Sequence, residues 1–299
     1  MSTLKNKIDF VALVRVELAN PNGDPLNDNR PRTTYEGYGH ISDVCIKRKI
    51  RNRLLDMGEE IFVQSDDKRV DECKSLHERY DKVFSASDSK DKTDEEKGKV
   101  ACEKWIDVRS FGQVFPFKSN KDKKKKVQSQ EKDDETKSVS IGIRGPVSIH
   151  QAMSCAPIDI QSIQIAKSVN LEPGDTKGPD RLGMKHFVEF GLYKIKGSIN
   201  VQLAEKTGFS DEDAEKIKEA LRTLFVNDAS AARPDGSMSV LKVYWWKHNT
   251  KDGQYSSMQV HDSVKIALKN DAQIAKSVDD FEITLAELDG LKPEIIDGI

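Results

Sequence analysis

Ile8-Asp9-Phe10-Val11-Ala12-Leu13-Val14-Arg15-Val16-Glu17-Leu18 is the stretch on which the architecture turns. Two downstream pieces complete its reading: Asn20-Pro21-Asn22-Gly23-Asp24-Pro25 and Gly37-Tyr38-Gly39-His40-Ile41-Ser42-Asp43-Val44-Cys45-Ile46-Lys47-Arg48-Lys49-Ile50-Arg51-Asn52. The first predicts a strand. Ile8, Phe10, Ala12, Val14, Val16 and Leu18 share one face, and Val11 and Leu13 make the other partly apolar, as in a central strand. Pro21, Asn22-Gly23 and Pro25 end it. Ser42 then reads as an N-cap with Asp43 in the first turn, opening a helix to about Met57 whose buried stripe is Ile46, Ile50, Leu54 and Met57.

That helix carries five basic residues. Lys47 and Arg51 lie on one edge of the stripe with Arg48 beside them, and Lys49 and Arg53 lie on the other edge and outer face. Two readings stand side by side, a solvated face and a phosphate-binding face. Asp43 is the only acidic residue between Glu36 and Asp56, so surface ion pairs are not expected to account for the cluster. The turn is equally open: either a tight corner after the strand, or a loop whose amides and Asn20 and Asn22 side chains, with Gly23, meet phosphate or ribose.

The chain of 299 residues is 33% charged and 36% hydrophobic, with no apolar run near the length of a membrane span and no signal-peptide core. Cys45, Cys73, Cys102 and Cys155 lack C-x-x-C spacing and predict free thiols in a reducing cytosol. Cys73 and His77 are four apart, but two ligands without partners make no zinc site. The net charge of −2 hides an asymmetry: residues 270–299 hold eight acidic and two basic side chains, a local −6, which leaves +4 for the rest. Binding to phosphate depends on that local field, so composition neither requires nor excludes a nucleic-acid partner.

Farther along, 64–104 is charge-dense with short helical patterns near 71–84 and 94–106, and reads as an insertion rather than core. Residues 118–138, with six lysines and then an acidic cluster, predict a mobile loop. Ser140–His150 is strand-like and interrupted at Gly145-Pro146. Residues 160–191 alternate apolar pieces around a turn-rich centre, as a long hairpin does. Tyr193, Ile195, Ile199, Val201 and Leu203 then alternate with polar residues as a half-buried strand. Ser210-Asp211-Glu212-Asp213 has the form of a capping box opening a helix through Ala214, Ile217, Leu221, Leu224 and Phe225. Val240–Trp246 and a run near 257–268 read as further strands. Strand, helix, strand, strand, helix, strand is the split β-α-β order of an α+β, ferredoxin-like or RRM-like fold: an antiparallel sheet with two helices on one face.

Catalytic constellations are scarce. Asp24 and Asp43 are candidates to flank a metal, yet a turn and a helix start are where carboxylates act as caps. His40, His77, His150, His186, His248 and His261 lack ligand spacing to one another. Neither a nucleophile elbow nor a phosphate-binding glycine loop is present. Trp245-Trp246 offers a base-stacking pair, although one of two neighbours on a strand ordinarily faces the core. The RNP1 stacking motif is missing.

Taken in order, several of these segments form a pattern: the N-terminal strand, Asn20–Pro25, the loop Arg30-Pro31-Arg32, and the Gly37–Val44 segment running into the Lys47–Asn52 helix. Asp107-Val108-Arg109-Ser110-Phe111-Gly112-Gln113-Val114-Phe115 follows, then Arg144-Gly145-Pro146-Val147, then Met184-Lys185-His186-Phe187-Val188 and Gly191-Leu192-Tyr193. Across residues 8–205 this resembles the Cas-seven backbone subunits of CRISPR type I-C Cascade complexes, members of the RAMP superfamily.

The resemblance implies one RRM-like palm over 1–299 with insertions at 58–106, 116–139 and 160–191 and an acidic segment at 270–299. The 160–191 excursion corresponds to a thumb. It implies a cytoplasmic, non-catalytic protein without cofactor or metal. Its partners are a CRISPR guide RNA, other copies of itself in a helical filament, other Cascade subunits and target DNA, with no membrane. The implied RNA contacts are Asn20, Asn22, Gly23, Arg30, Arg32, Ser42, Lys47, Arg48, Lys49, Arg51, Arg109, Lys167, Arg181, Lys185 and His186. The rival expectation comes from type III complexes, whose backbone subunit cuts target RNA with a loop aspartate, here Asp24 or Asp43. The resemblance gives no role to 64–104 or to the Lys121–Lys126 run, for which a solvated loop and a track for a DNA strand are the alternatives.

Overall fold

A computed structural model describes residues 2–84, 92–116, 140–166, 182–269 and 274–299. The predicted mobile loop at 118–138 lies outside the described residues. In chain order the elements are β1 (Ile8–Ala19), β2 (Gly23–Asp24), β3 (Arg30–Pro31), β4 (Tyr38–Ile41), α1 (Asp43–Asp56), α2 (Leu76–Phe84), α3 (Asp94–Lys104) and α4 (Ile106–Phe111). Then come β5 (Gly112–Pro116), β6 (Ser140–Arg144), β7 (Val147–Ile149), β8 (Ala152–Pro157), β9 (Ile160–Ala166) and β10 (Leu182–Ile199). The chain closes with α5 (Val201–Thr207), α6 (Asp211–Arg222), β11 (Met238–Lys247), α7 (Ser257–Ser263), β12 (Val264–Leu268), β13 (Phe281–Leu285) and β14 (Glu294–Asp297).

β1 sits at the centre of an antiparallel sheet because both of its faces are apolar. It pairs with β10 from Ile8↔Ile199 to Ala19↔Val188, and with β11 from Ile8↔Lys247 to Val16↔Met238. β7 pairs with the end of β10. Side by side, β11, β1, β10 and β7 are the fourth, first, third and second strands of the split β-α-β arrangement, so the predicted α+β, ferredoxin-like palm is the observed one. β8 and β4 extend the sheet beyond β10, and β14 extends it beyond β11.

The two faces of β1 build two cores. Phe10, Ala12, Val14 and Val16 meet Ile46, Ile50 and Leu54 of α1 and Ala214, Ile217 and Leu221 of α6. Val11 and Leu13 meet Tyr244, Trp246, Val260 and Phe281 on the opposite face, which α7 and the β12–β13 hairpin cover. Both tryptophans are therefore core. Trp245 stacks on Phe10 at 5.3 Å between ring centres, and Trp246 is buried in the second core. The 64–104 region, expected to lie apart from any core, builds a third of its own. Phe62, Tyr80, Phe84, Trp105 and Phe115 close around α2–α4, with Ile141 and Ile143 of β6 against them.

Three local expectations are corrected. Leu18 is 56% exposed rather than on the core face, because its backbone adopts φ +51° and kinks the end of β1. Val201 and Leu203 belong to α5 and not to a strand: the Asn200 side chain accepts from the Leu203 amide at 2.8 Å and caps a helix there. The run near 257–268 is half helix, since Ser256 and Gln259 form a reciprocal capping box for α7. The acidic C-terminal segment adds a strand to the sheet, with β14 pairing along β11 and Asp297 meeting Lys242 at 2.6 Å.

Candidate nucleic-acid interface

The turn after β1 is a prebuilt loop. The Asn20 amide donates to Ala232 O (2.9 Å), and its side-chain Nδ2 donates to Asn29 O (2.6 Å). Asp28 and Asn29 both occupy the left-handed region, at φ +47° and +57°. Short polar side chains tolerate that conformation best. β2 and β3 pair through Gly23↔Pro31 and Asp24↔Arg30. Gly23 admits no side chain, because a Cβ would fall inside Asn29. Arg32 is fixed twice, by its amide on Asn22 O (3.1 Å) and by its guanidinium on Asp24 Oδ1 (3.3 Å).

This loop is locked to the start of α1. Asn22 Oδ1 accepts from both the amide and the hydroxyl of Ser42, each at 2.9 Å. Ser42 Oγ in turn accepts from the Cys45 amide at 3.3 Å, capping the helix.

The cations of α1 have different fates. Lys47 pairs with Asp43 at 2.9 Å, one turn back. Arg48 is 61% exposed and touches Asp67 at 3.1 Å. Lys49 is only 6% exposed, paired with Asp228 and placed over the Phe225 ring. Burial, with Arg233 nearby, pushes its ammonium below the usual lysine range against the pull of Asp228. Arg51 meets Asp107 Oδ2 at 3.0 Å and lies over Phe111. Asp107, 1% exposed, also accepts the Phe62 and Val63 amides at 2.7 and 3.0 Å. Arg53 donates to Thr223 at 2.7 Å. The expectation that ion pairs do not account for this cluster is thus overturned. Apart from Asp43, the carboxylates come from distant segments, which local sequence does not reveal. Arg109 is likewise internal, donating to both oxygens of Asp213, whose side chain completes the capping box of α6 with Ser210, at 3.0 and 2.7 Å.

The hairpin of β9 and β10 starts beside the loop. It pairs from Ile160↔Val188 out to Ala166↔Leu182. At its base Arg30 donates to Ser162 Oγ (3.3 Å), and Ser162 Oγ lies 2.8 Å from His186 Nδ1. Since Ser162 accepts from Arg30, its own proton is free to go to His186. His186 is buried, whereas Lys185 sits on the other face, opposite Ile163. Ile163, Ile165, Leu182 and Met184 are exposed farther out. Lys167 and Arg181 lie outside the described residues.

Of the predicted residues, the fold gathers Asn20, Asn22, Gly23, Arg30, Arg32, Ser42, Lys47, Arg48 and Lys49 around one loop and helix start, with His186 beside them. Arg51 turns instead to Asp107 of α4, and Arg109, itself on α4, turns to Asp213 of α6. A polar cleft of about 280 Å³ opens between the loop and α1, and its far wall is residues 227–233. That wall supplies Arg233, and the 3₁₀ turn Asp66–Lys68 supplies Lys68. Neither was expected from the sequence. The only local signal was the turn-forming Arg233-Pro234-Asp235-Gly236, which says nothing about its neighbour in space.

A family model described as CRISPR-associated protein Cas7 matches residues 6–286. A protein of that description from Haloferax volcanii is 28% identical over 222 residues, 73% of this chain and 63% of the relative's own length. Among solved structures, a chain of a "CRISPR RNA-guided surveillance complex, pre-nicking" superposes with a TM-score of 0.48 at 13% identity, covering 86% of this chain and 82% of that one. A second, from a "CRISPR RNA-guided surveillance complex", gives 0.45 at 13% identity, covering 88% and 77%. Among the described residues no helix is long and apolar enough to cross a membrane.

Proposed function

This chain belongs to the Cas7 family of CRISPR-associated proteins, and on that premise we propose that it is a non-catalytic backbone subunit that binds a CRISPR guide RNA through phosphates. In this reading copies of the chain assemble side by side along the guide, alongside other subunits of a type I-C surveillance complex in the cytoplasm. The bound guide is held for pairing with target DNA.

One observation carries the reading: the loop at 20–33, the start of α1 and the base of the β9–β10 hairpin are tied together by Asn22–Ser42 and Arg30–Ser162–His186. A guide of arbitrary sequence needs cations held at fixed positions and no base-reading code. Base pairing supplies the specificity. The phosphate contacts are Arg30, Arg32, Lys47, Arg48 and Lys185, together with Lys167 and Arg181. Asn20, Asn22, Gly23, Ser42 and His186 position them. Lys49, Arg51 and Arg109 brace α1 and its surroundings through internal ion pairs. Asp24 and Asp43 neutralise Arg32 and Lys47, which favours a poising role over the cutting role of the rival reading.

Co-expression with a CRISPR array tests the proposal. Purified protein is expected to carry RNA, with a raised 260/280 nm ratio and an assembled mass of several protomers per guide. Nucleic-acid-free protomers from that co-expression would sink it.

A further inference from the structure

We propose that the cleft between α1 and residues 227–233 is a phosphodiester-binding site in which Arg233 contacts the RNA strand directly, while Asp228 holds Arg233 in place before RNA arrives. The inference rests on the guide-binding reading and adds to it a residue about two hundred positions from the N-terminal loop.

Asp228 is asked to serve two cations at once. Its Oδ2 is the partner of buried Lys49 and also lies 3.4 Å from Arg233 Nε. A buried ammonium cannot give up its only carboxylate without a large desolvation cost. Arg233, which is partly exposed, is therefore the cation free to exchange partners. Its terminal nitrogens make no hydrogen bond to the described residues, so the fork that recognises phosphate is open. Arg48 faces the same cleft with only one terminal nitrogen engaged, on exposed Asp67.

The wall that carries Arg233 is built, not loose. Asn227 adopts φ +58°, its side chain donates to Asp56 Oδ2 at 3.2 Å, and its carbonyl accepts from Lys68 Nζ. Ser230 and Arg233 exchange backbone hydrogen bonds at 2.8 and 3.0 Å, and Ala232 O holds the Asn20 amide at 2.9 Å. Loop, helix, 3₁₀ turn and far wall thus converge on a space lined by Arg48, Lys49, Lys68 and Arg233 against Asp67 and Asp228. Lys68 is itself paired with Asp56 at 3.2 Å, so the cleft keeps one positive charge in excess, which suits one strand phosphate.

The test is binding of a fluorescein-labelled, unstructured 20-nucleotide RNA to the full chain across a chloride series. Circular dichroism and thermal midpoint are matched beforehand. Arg233→Gln is expected to weaken binding several-fold and to flatten the slope of log K against log salt by about 0.7, one phosphate's worth for a single strand. Arg233→Lys is expected to restore the slope but not the full affinity, which a purely structural arginine would not produce. It carries the test alone if the glutamine variant does not fold, and an unchanged affinity for it then overturns the proposal. Wild-type slope and affinity in Arg233→Gln, with Arg30→Gln impaired, overturn the cleft while leaving the wider reading intact. Failure of the wild type to bind overturns both. Saturable binding of inorganic phosphate to the wild type that Arg233→Gln abolishes, with RNA affinity and salt slope left at their wild-type values, assigns the cleft to free phosphate and also overturns it.

Discussion

Asn22 and Ser42, twenty residues apart, share one oxygen: Asn22 Oδ1 takes both the backbone and the hydroxyl proton of Ser42 at 2.9 Å. The contact joins the end of the first strand to the cap of the first helix. The loop that follows β1 therefore cannot move independently of α1. Every cation proposed to meet RNA from these two elements depends on that joint for its position.

Replacing Asn22 separates folding from binding. Asn22→Ala leaves two Ser42 donors unsatisfied and is expected to lower stability by about 1–3 kcal/mol in urea titrations. Asn22→Asp keeps the acceptor and adds a negative charge near a helix N-terminus, so stability is expected to hold or rise slightly. Its RNA affinity is nevertheless expected to fall, because the charge repels phosphate. An aspartate variant that binds as well as wild type would contradict the place given to this loop.

Arg51 is predicted to matter for folding and not for binding. Its removal strands Asp107, a buried carboxylate that also holds the Phe62 and Val63 amides. Arg51→Ala should cost about 3–5 kcal/mol in chemical denaturation. Under conditions where the variant stays folded, its salt slope for RNA should equal that of wild type.

Asp24 lies 3.3 Å from Arg32. If it poises that arginine, Asp24→Asn raises RNA affinity, and complementary RNA incubated with the wild type and Mg²⁺ stays intact on a gel. Regular fragments that vanish in Asp24→Asn would establish the cutting role instead.

Acid should destabilise the fold through the cluster behind β1. Asp9, fully buried, sits 2.8 Å from His248 Nε2 and 3.9 Å from His261 Nε2, with Lys7 at 3.2 Å. Burial opposes the Asp9 charge, but the bonds from His248 and Ser257 and the nearby Lys7 outweigh it and hold the carboxyl below the usual range. Burial likewise holds His261 below the usual imidazole range, against the pull of Gly197 O and Asp9. Both groups bind protons more readily in the unfolded chain, so stability is lost as pH falls. The loss begins near the ordinary imidazole value of 6.5 for His261 and continues below 3.8 for Asp9. Urea midpoints at pH 7.5, 6, 5 and 4 should decline in turn; a flat series would contradict the assignment.

The palm was legible because its signals are local. The doubly apolar β1, the Ser42 cap and the Ser210–Asp213 box each name an element from a few adjacent residues. Asn200 and Ser256 carried cap signals of the same kind, but apolar alternation masked them, and two short helices read as strand. The candidate site was half legible. The loop and helix stood out as a block, whereas the partners that divide its cations into free and committed (Asp67, Asp107 and Asp228) are brought in by tertiary folding alone. Arg233 was invisible for the same reason.

The central claim is that the loop and α1 bind RNA through phosphates, and the salt dependence of RNA binding by Arg30→Gln/Arg48→Gln tests it most directly. Both side chains reach the surface of the proposed interface, and neither carries a buried charge partner. The account predicts that the double variant keeps its thermal midpoint while its slope of log K against log salt flattens by about 1.4, the loss of two phosphate contacts on a single strand. A folded double variant with the slope and affinity of wild type would contradict it.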